Sequence, residues 1–233
     1  MDAITLLKQD HKTVNALFKR FEKLGDGATS TKKDIANQVV KELSIHAAVE
    51  ELVFYPAVKG ISDDLKDHVL ESLEEHHVVK WLCSEIDDMS PEHERFDAKM
   101  TVLIENVRHH VEEEEQEFFP QVRESLGRKT LAELGDLLEQ AKKTAPTRPH
   151  PKAPDEPPAN AITSLVAGLI DRARQAGMEV LSKAGRNGSS SNRSAPSRTR
   201  RPVTKAAAGA KKAVKTTRKK ATTVRKQTTA RRR

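Results

Sequence analysis

Two eleven-residue stretches constrain this chain more than any other feature: His46–Pro56 (HAAVEELVFYP) and His110–Pro120 (HVEEEEQEFFP). Each runs His, three residues, Glu-Glu, three residues, an aromatic, Pro, and a constant offset of 64 residues relates them. On a helix, His at i and Glu at i+4 project from one face. An imidazole and a carboxylate one turn apart are a ready pair of metal ligands. Two such pairs brought together would hold two metal ions.

Apolar periodicity places both pairs on helices. The stripes are Ile4, Leu7, His11, Val14, Phe18, Phe21; then Val39, Leu43, His46, Glu50, Val53; then Leu65, Val69, Leu73, His76, Val79, Cys83, Ile86; then Phe96, Met100, Leu103, Val107, His110, Glu114, Phe118. Four helices are predicted, and each carries a histidine in its buried stripe. Gly25-Asp-Gly27 stops the first, Ser30 or Thr31 caps the second, and Pro56 with Gly60 ends it. Ser62 caps the third, Ser90-Pro91 opens the fourth and Gly127 closes it. A short fifth amphipathic segment follows, roughly 129–142.

Short loops between four helices predict an up-down-up-down bundle. In an antiparallel pair, residues equidistant from the connecting loop share a height. His11 and His46 are centred on the Gly25–Ser30 loop, His46 and His76 on Ile61, and His76 and His110 on the break after Met89. All four histidines therefore meet at one level, with Glu50 and Glu114 one turn away. Six unpaired polar groups at one level of an apolar core would cost several kcal/mol each. A metal-free His–Glu hydrogen-bonded network could offset part of that. Four histidines with two glutamates at matched spacing favour bound cations, which turn the cost into a gain.

Composition limits the bundle to part of the 233 residues. Aromatics are only 3%, lean for a core spanning the whole length. Of 41 Lys+Arg, 18 lie in residues 183–233, where there is no acidic residue; the other 23 face all 34 Asp+Glu in residues 1–182. An acidic body thus carries a strongly basic tail. Residues 143–159 contain six prolines and are expected to be a linker. Residues 160–182 hold a small amphipathic helix with Ile162, Leu165, Val166, Leu169 and Ile170 on one face. Residues 183–233 cannot bury enough apolar surface to fold alone and are expected to be disordered. Candidate nucleic-acid contacts there are Lys211, Lys212, Lys215, Arg218, Lys219, Lys220, Arg225 and Lys226. With no aromatic between the charges, they imply non-specific affinity for DNA or another polyanion rather than base stacking. A solubilising role, or binding to acidic protein or lipid surfaces, is the alternative. A single Cys fits a reducing compartment. No signal peptide and no membrane span is expected, which together with the tail predicts a cytoplasmic, nucleoid-associated protein.

The motifs Asp10-His11, His46-x3-Glu50-Glu51, Glu75-His76-His77 and His110-x3-Glu114-Glu115, with Tyr55-Pro56 and Phe119-Pro120, resemble the hemerythrin-like, or HHE cation-binding, domains over residues 1–142. The resemblance implies an all-α four-helix bundle with a non-heme di-iron centre. His11, His46, His76 and His110 would be terminal ligands, and Glu50 and Glu114 bridging carboxylates. Two six-coordinate ions need about twelve positions; these side chains supply eight, leaving solvent, an oxo or hydroxo bridge, and dioxygen, peroxide or nitric oxide. Oxygen-carrying hemerythrins have a further His one turn after the third-helix ligand, where this chain has Lys80. That departure favours weak, catalase-like peroxide consumption, or oxidative-stress sensing, over reversible oxygen carriage. The alternative is an iron-sequestering or nucleic-acid-associated protein without turnover. Cys83, Tyr55 and Phe119 are expected in the core, and His68, His77, His93, His109 and His150 off the site. Glu51 and Glu115 could orient ligands or face solvent.

Overall fold

The computed structural model describes residues 1–152 and Gly168. Residues 153–159 of the expected linker, the helix expected over 160–182 apart from Gly168, and the whole basic tail, with its eight candidate nucleic-acid contacts, lie outside the described residues. Those residues are all-helical, with five helices and no strand among them. Helix α1 is Ala3–Phe21. Helix α2 is Thr29–Val49, continued through a wide π turn (Glu50–Phe54) into Tyr55–Val58. Helix α3 is Asp63–Asp88. Helix α4 is Phe96–Glu113, continued likewise through Glu114–Phe118 into Phe119–Ser125. Helix α5 is Arg128–Lys142. Helix α1 packs on α2 and α4, α2 on α3, and α3 on α4, an arrangement consistent with a hemerythrin-like bundle. No described helix is long and apolar enough to cross a membrane.

The helix ends follow local chemistry. Asp2 caps α1, its Oδ1 accepting the Thr5 N–H at 2.9 Å. Ser62 caps α3 as expected, accepting the Leu65 N–H at 3.2 Å. At the other end of α3, Lys33 donates to the carbonyls of Ile86, Asp87 and Met89, each at 2.9 Å, where the last carbonyls of a helix run short of backbone donors and a cation is favoured. Two expected starts shift. Helix α2 begins at Thr29 with no side-chain cap. Helix α4 begins at Phe96, because consecutive turns (His93 N–H to Ser90 C=O, Phe96 N–H to His93 C=O) occupy the stretch after Ser90.

Pro56 does not end α2. The π turn before it widens the helix so that the Tyr55 N–H reaches the Glu50 carbonyl. Proline lacks an N–H and its ring crowds the carbonyl four residues back; the wider turn relieves that crowding and the helix continues to Val58. Pro120 does the same in α4, after Phe119 N–H pairs with the Glu114 carbonyl.

The core has two apolar clusters with a polar layer between them. One gathers Ile4, Leu7, Val53, Phe54, Leu65, Val69, Phe118, Phe119 and Val122. The other gathers Val14, Phe18, Val39, Leu43, Val79, Cys83, Leu103 and Val107. Along each of α1 to α4, the stripe histidine falls at the change from one cluster to the other. Burying a Val, Leu or Phe side chain stabilises by roughly 1.5–3 kcal/mol, so two such clusters can carry a costly layer. Helix α5 extends the first cluster, burying Leu131, Leu134, Leu137 and Leu138 beside Ala3 and Leu7. Gly135 permits this docking: a Cβ there would stand 2.0 Å from the Met1 carbonyl oxygen and 3.0 Å from the Ala3 nitrogen.

Candidate metal centre

All six candidate ligands face the polar layer, and none is more than 5% exposed. Successive histidine rings lie close: His11 and His46 have centroids 4.9 Å apart, His46 and His76 6.4 Å, His76 and His110 4.8 Å. Their Nε2 atoms point inward. His46 Nε2 is 3.1 Å and His76 Nε2 3.5 Å from Glu50 Oε2. His11 Nε2 is 3.3 Å and His110 Nε2 3.5 Å from Glu114 Oε2. Two donor groups, each drawn together within 4.8 Å, follow from this: His11, His46, Glu50 and Glu114, and Glu50, His76 and His110. Glu50 belongs to both.

Three of the four outward Nδ1 atoms hydrogen-bond a carboxylate, and that of His46 has one farther off, beyond hydrogen-bond distance. Glu115 Oε1 is 2.9 Å from His11, Glu51 Oε1 3.0 Å from His76, Glu75 Oε2 2.7 Å from His110, and Asp10 Oδ2 3.7 Å from His46. A carboxylate on Nδ1 fixes the ring's orientation and directs the lone pair of Nε2 inward. The sequence left Glu51 and Glu115 undecided; the structure places both against histidine rings of the polar layer, His76 and His11. Asp10 and Glu75 precede His11 and His76 in the chain, yet each stands beside a histidine of another helix, a relation visible only after folding. Lys80 donates to both oxygens of Glu51 at 3.0 and 3.1 Å. Tyr55 is buried as expected, but its hydroxyl reaches the layer, donating to Glu114 Oε1 at 3.1 Å and lying 3.3 Å from His76 Nε2. His77 and His109 are exposed, and His68 is half-buried against Phe118 and Gln121.

Burial and close charges shift the titration of the layer's side chains. Burial penalises a charged imidazole at His11, but the neighbouring carboxylates of Glu114 and Glu115 outweigh it and raise its pKa to about 9. Burial lowers His46 to about 4 and also lowers His76. Burial, then the charge of Glu114, pushes Glu50 well above the usual carboxylate range. Glu114 resists its own burial through His110 and His11 and falls to about 2. One carboxylate of the pair thus stays ionised and the other holds a proton.

The residues fit a metal. His11 Nε2, His46 Nε2, Glu50 Oε1 and Glu114 Oε2 are buried with no hydrogen-bond partner. Unpartnered buried donors and acceptors are rare and costly; all four lie in the first donor group, Glu50 being shared with the second, where His76 Nε2 and His110 Nε2 stand 3.3 Å from each other. Imidazole and carboxylate together suit a borderline divalent transition metal.

A family profile described as the hemerythrin HHE cation binding domain matches residues 2–122. An uncharacterized hemerythrin-like protein of Schizosaccharomyces pombe is 29% identical over 167 residues, 71% of this chain and 81% of that protein. A DNA nickase of Nostoc is 27% identical over 142 residues, which are 61% of this chain but 39% of the nickase. Among solved structures, a hemerythrin HHE cation binding domain-containing protein from Mycobacterium kansasii aligns with a TM-score of 0.44 at 16% identity, covering 81% of this chain and 94% of that one.

Proposed function

Because the chain belongs to the hemerythrin HHE cation-binding family, we propose that His11, His46, Glu50, His76, His110 and Glu114 hold two iron ions and that the centre reacts with a small oxidant, peroxide first. The observation that carries this reading is the gathering of buried inward nitrogens and carboxylate oxygens into two donor groups sharing Glu50, the first of them holding four atoms with no hydrogen-bond partner. Iron bound there supplies redox and ligand-binding chemistry toward dioxygen, peroxide or nitric oxide.

The chain's own side chains set the conditions. Glu51, Glu75 and Glu115 orient the rings of His76, His110 and His11, and Asp10 stands beside His46. The two apolar clusters exclude bulk water, and a cavity of about 20 Å³ beside Val14, Leu43, Val79 and Val107 admits only a very small molecule. Burial lifts the Tyr55 hydroxyl well above its ordinary pKa of 10, so it keeps its proton and remains a donor toward the layer. Lys80 stands where a fifth histidine would make the centre more histidine-rich, and it clamps Glu51 instead. That favours peroxide consumption over reversible oxygen carriage. The test is the absorption spectrum and gas release of iron-loaded protein on adding peroxide. Turnover that disappears in Glu114→Ala supports the reading. A deoxy–oxy cycle surviving many rounds of degassing contradicts it.

The same proposal tethers the bundle to nucleic acid. Support comes from the 18 basic and no acidic residues of 183–233, among them Lys211, Lys212, Lys215, Arg218, Lys219, Lys220, Arg225 and Lys226, and from the relative named as a DNA nickase. Charge of this density binds phosphates by releasing condensed counterions.

A further inference from the structure

Three of the four outer carboxylates carry a lysine. Lys8 lies 3.3 Å from Glu115, Lys80 3.0 Å from Glu51, and Lys142 2.5 Å from Asp10. The fourth, Glu75, differs: among the described residues no lysine or arginine stands within ion-pair distance of it. What faces it is a histidine and another carboxylate, His109 and Glu113 of α4. Ligand atoms of Glu75, His109 and Glu113 all lie within 4.8 Å of one another, with His109 Nε2 3.4 Å from Glu113 Oε1.

This pair repeats the His-x3-Glu spacing of His110 and Glu114, one residue out of step and turned toward solvent. At the matching positions 64 residues earlier stand Ile45 and Val49, so the outer pair belongs to α4 alone. The His109 and Glu113 side chains are 65% and 37% exposed, open to an ion arriving from water. One imidazole and two carboxylates suit a divalent transition metal, with water completing its shell.

We propose that Glu75, His109 and Glu113 form a second, surface site for a divalent transition-metal ion, which stands where the other three outer carboxylates have a lysine. The site itself does not depend on the iron centre proposed above. Its coupling to that centre does: Glu75 Oε2 is 2.7 Å from His110 Nδ1, so a cation on Glu75 withdraws electron density from the carboxylate that orients His110. The surface ion is then a neutralising partner for the outer ring.

Cobalt(II) titration followed by calorimetry and absorption tests this, on wild type and on the double variant His109→Ala/Glu113→Gln. The wild type is expected to take a tight, buried class of ions and one weaker equivalent. The double variant is expected to lose that equivalent and keep the tight class. In a parallel nuclear magnetic resonance titration with zinc(II), the His109 ring signal is expected to move with the weak class. Identical stoichiometry in both proteins, or a His109 signal that does not respond, overturns the surface site while leaving the iron centre standing. A weak equivalent that depends on His109 and Glu113, in a protein with no tight class, upholds the surface site and removes the iron centre.

Discussion

At the scale of the residue, His11 shows how the layer and a metal compete. Burial opposes its charge, yet Glu114 and Glu115 raise its pKa to about 9, so at neutral pH the metal-free layer holds a proton on that ring. Burial and the charge of Glu114 also shift Glu50 toward its protonated form. A cation can take those donors only by displacing their protons. The expected outcome is acidification when iron(II) is added at pH 7 in weak buffer. Apparent affinity should rise from pH 6 to pH 8 by about tenfold per unit for each proton displaced. Uptake independent of pH would contradict these assignments. Cys83 provides a second residue-level test. Burial, and then Asp87, pushes its thiol up to about 12, and only the thiolate attacks an alkylating reagent. Iodoacetamide at pH 8 should leave Cys83 untouched in the folded protein and modify it readily in denaturant. Rapid alkylation of the native chain would mean that the α3 core opens.

At the scale of the element, α5 is held by contacts with a single weak point. Gly135 lets the N-terminal backbone approach, and Gly135→Ala places a methyl 2.0 Å from the Met1 carbonyl. Relief requires shifting Met1–Ala3 or tilting α5, and overpacking of this kind costs about 1–3 kcal/mol. Thermal unfolding should show a lower Tm for Gly135→Ala; an unchanged Tm would mean that α5 does not bear on the core. The helices were legible in the sequence because their apolar stripes persist over many turns, and the histidine level was legible because it follows from loop midpoints alone. The turns at Glu50 and Glu114 were not. Pro56 signals a break to any rule based on local backbone chemistry, and only the whole helix shows that a widened turn absorbs it. The carboxylates on Nδ1 were equally hidden. Glu51 and Glu115 share a sequence position with solvent-facing neighbours, and which of them touches a ring depends on how neighbouring helices pack. The outer pair His109–Glu113 did leave a trace, a second His-x3-Glu one residue ahead of His110 and Glu114, but its partner Glu75 lies on another helix.

At the scale of the whole molecule, the sequence divides into an acidic part of 182 residues and a tail with 18 basic side chains. If about six of those charges engage phosphates at once, log affinity should fall with log salt at a slope near −5 on duplex DNA. Deleting residues 183–233 should abolish retention in a gel shift and leave iron content unchanged. Equal retention by both proteins would refute the tail assignment, and loss of iron would make the appendage part of the fold. The bundle carries the central claim, that six side chains from four helices together hold iron. Removing one ligand leaves the others buried and unpaired, so loss of metal and loss of stability should coincide. The direct measurement is elemental analysis of anaerobically loaded wild type, His46→Ala and Glu114→Ala, with circular dichroism to confirm that each remains helical. The account predicts about two iron ions per wild-type chain and loss of iron from both helical variants. Full iron occupancy in both variants, or a folded wild type that holds none, would contradict it.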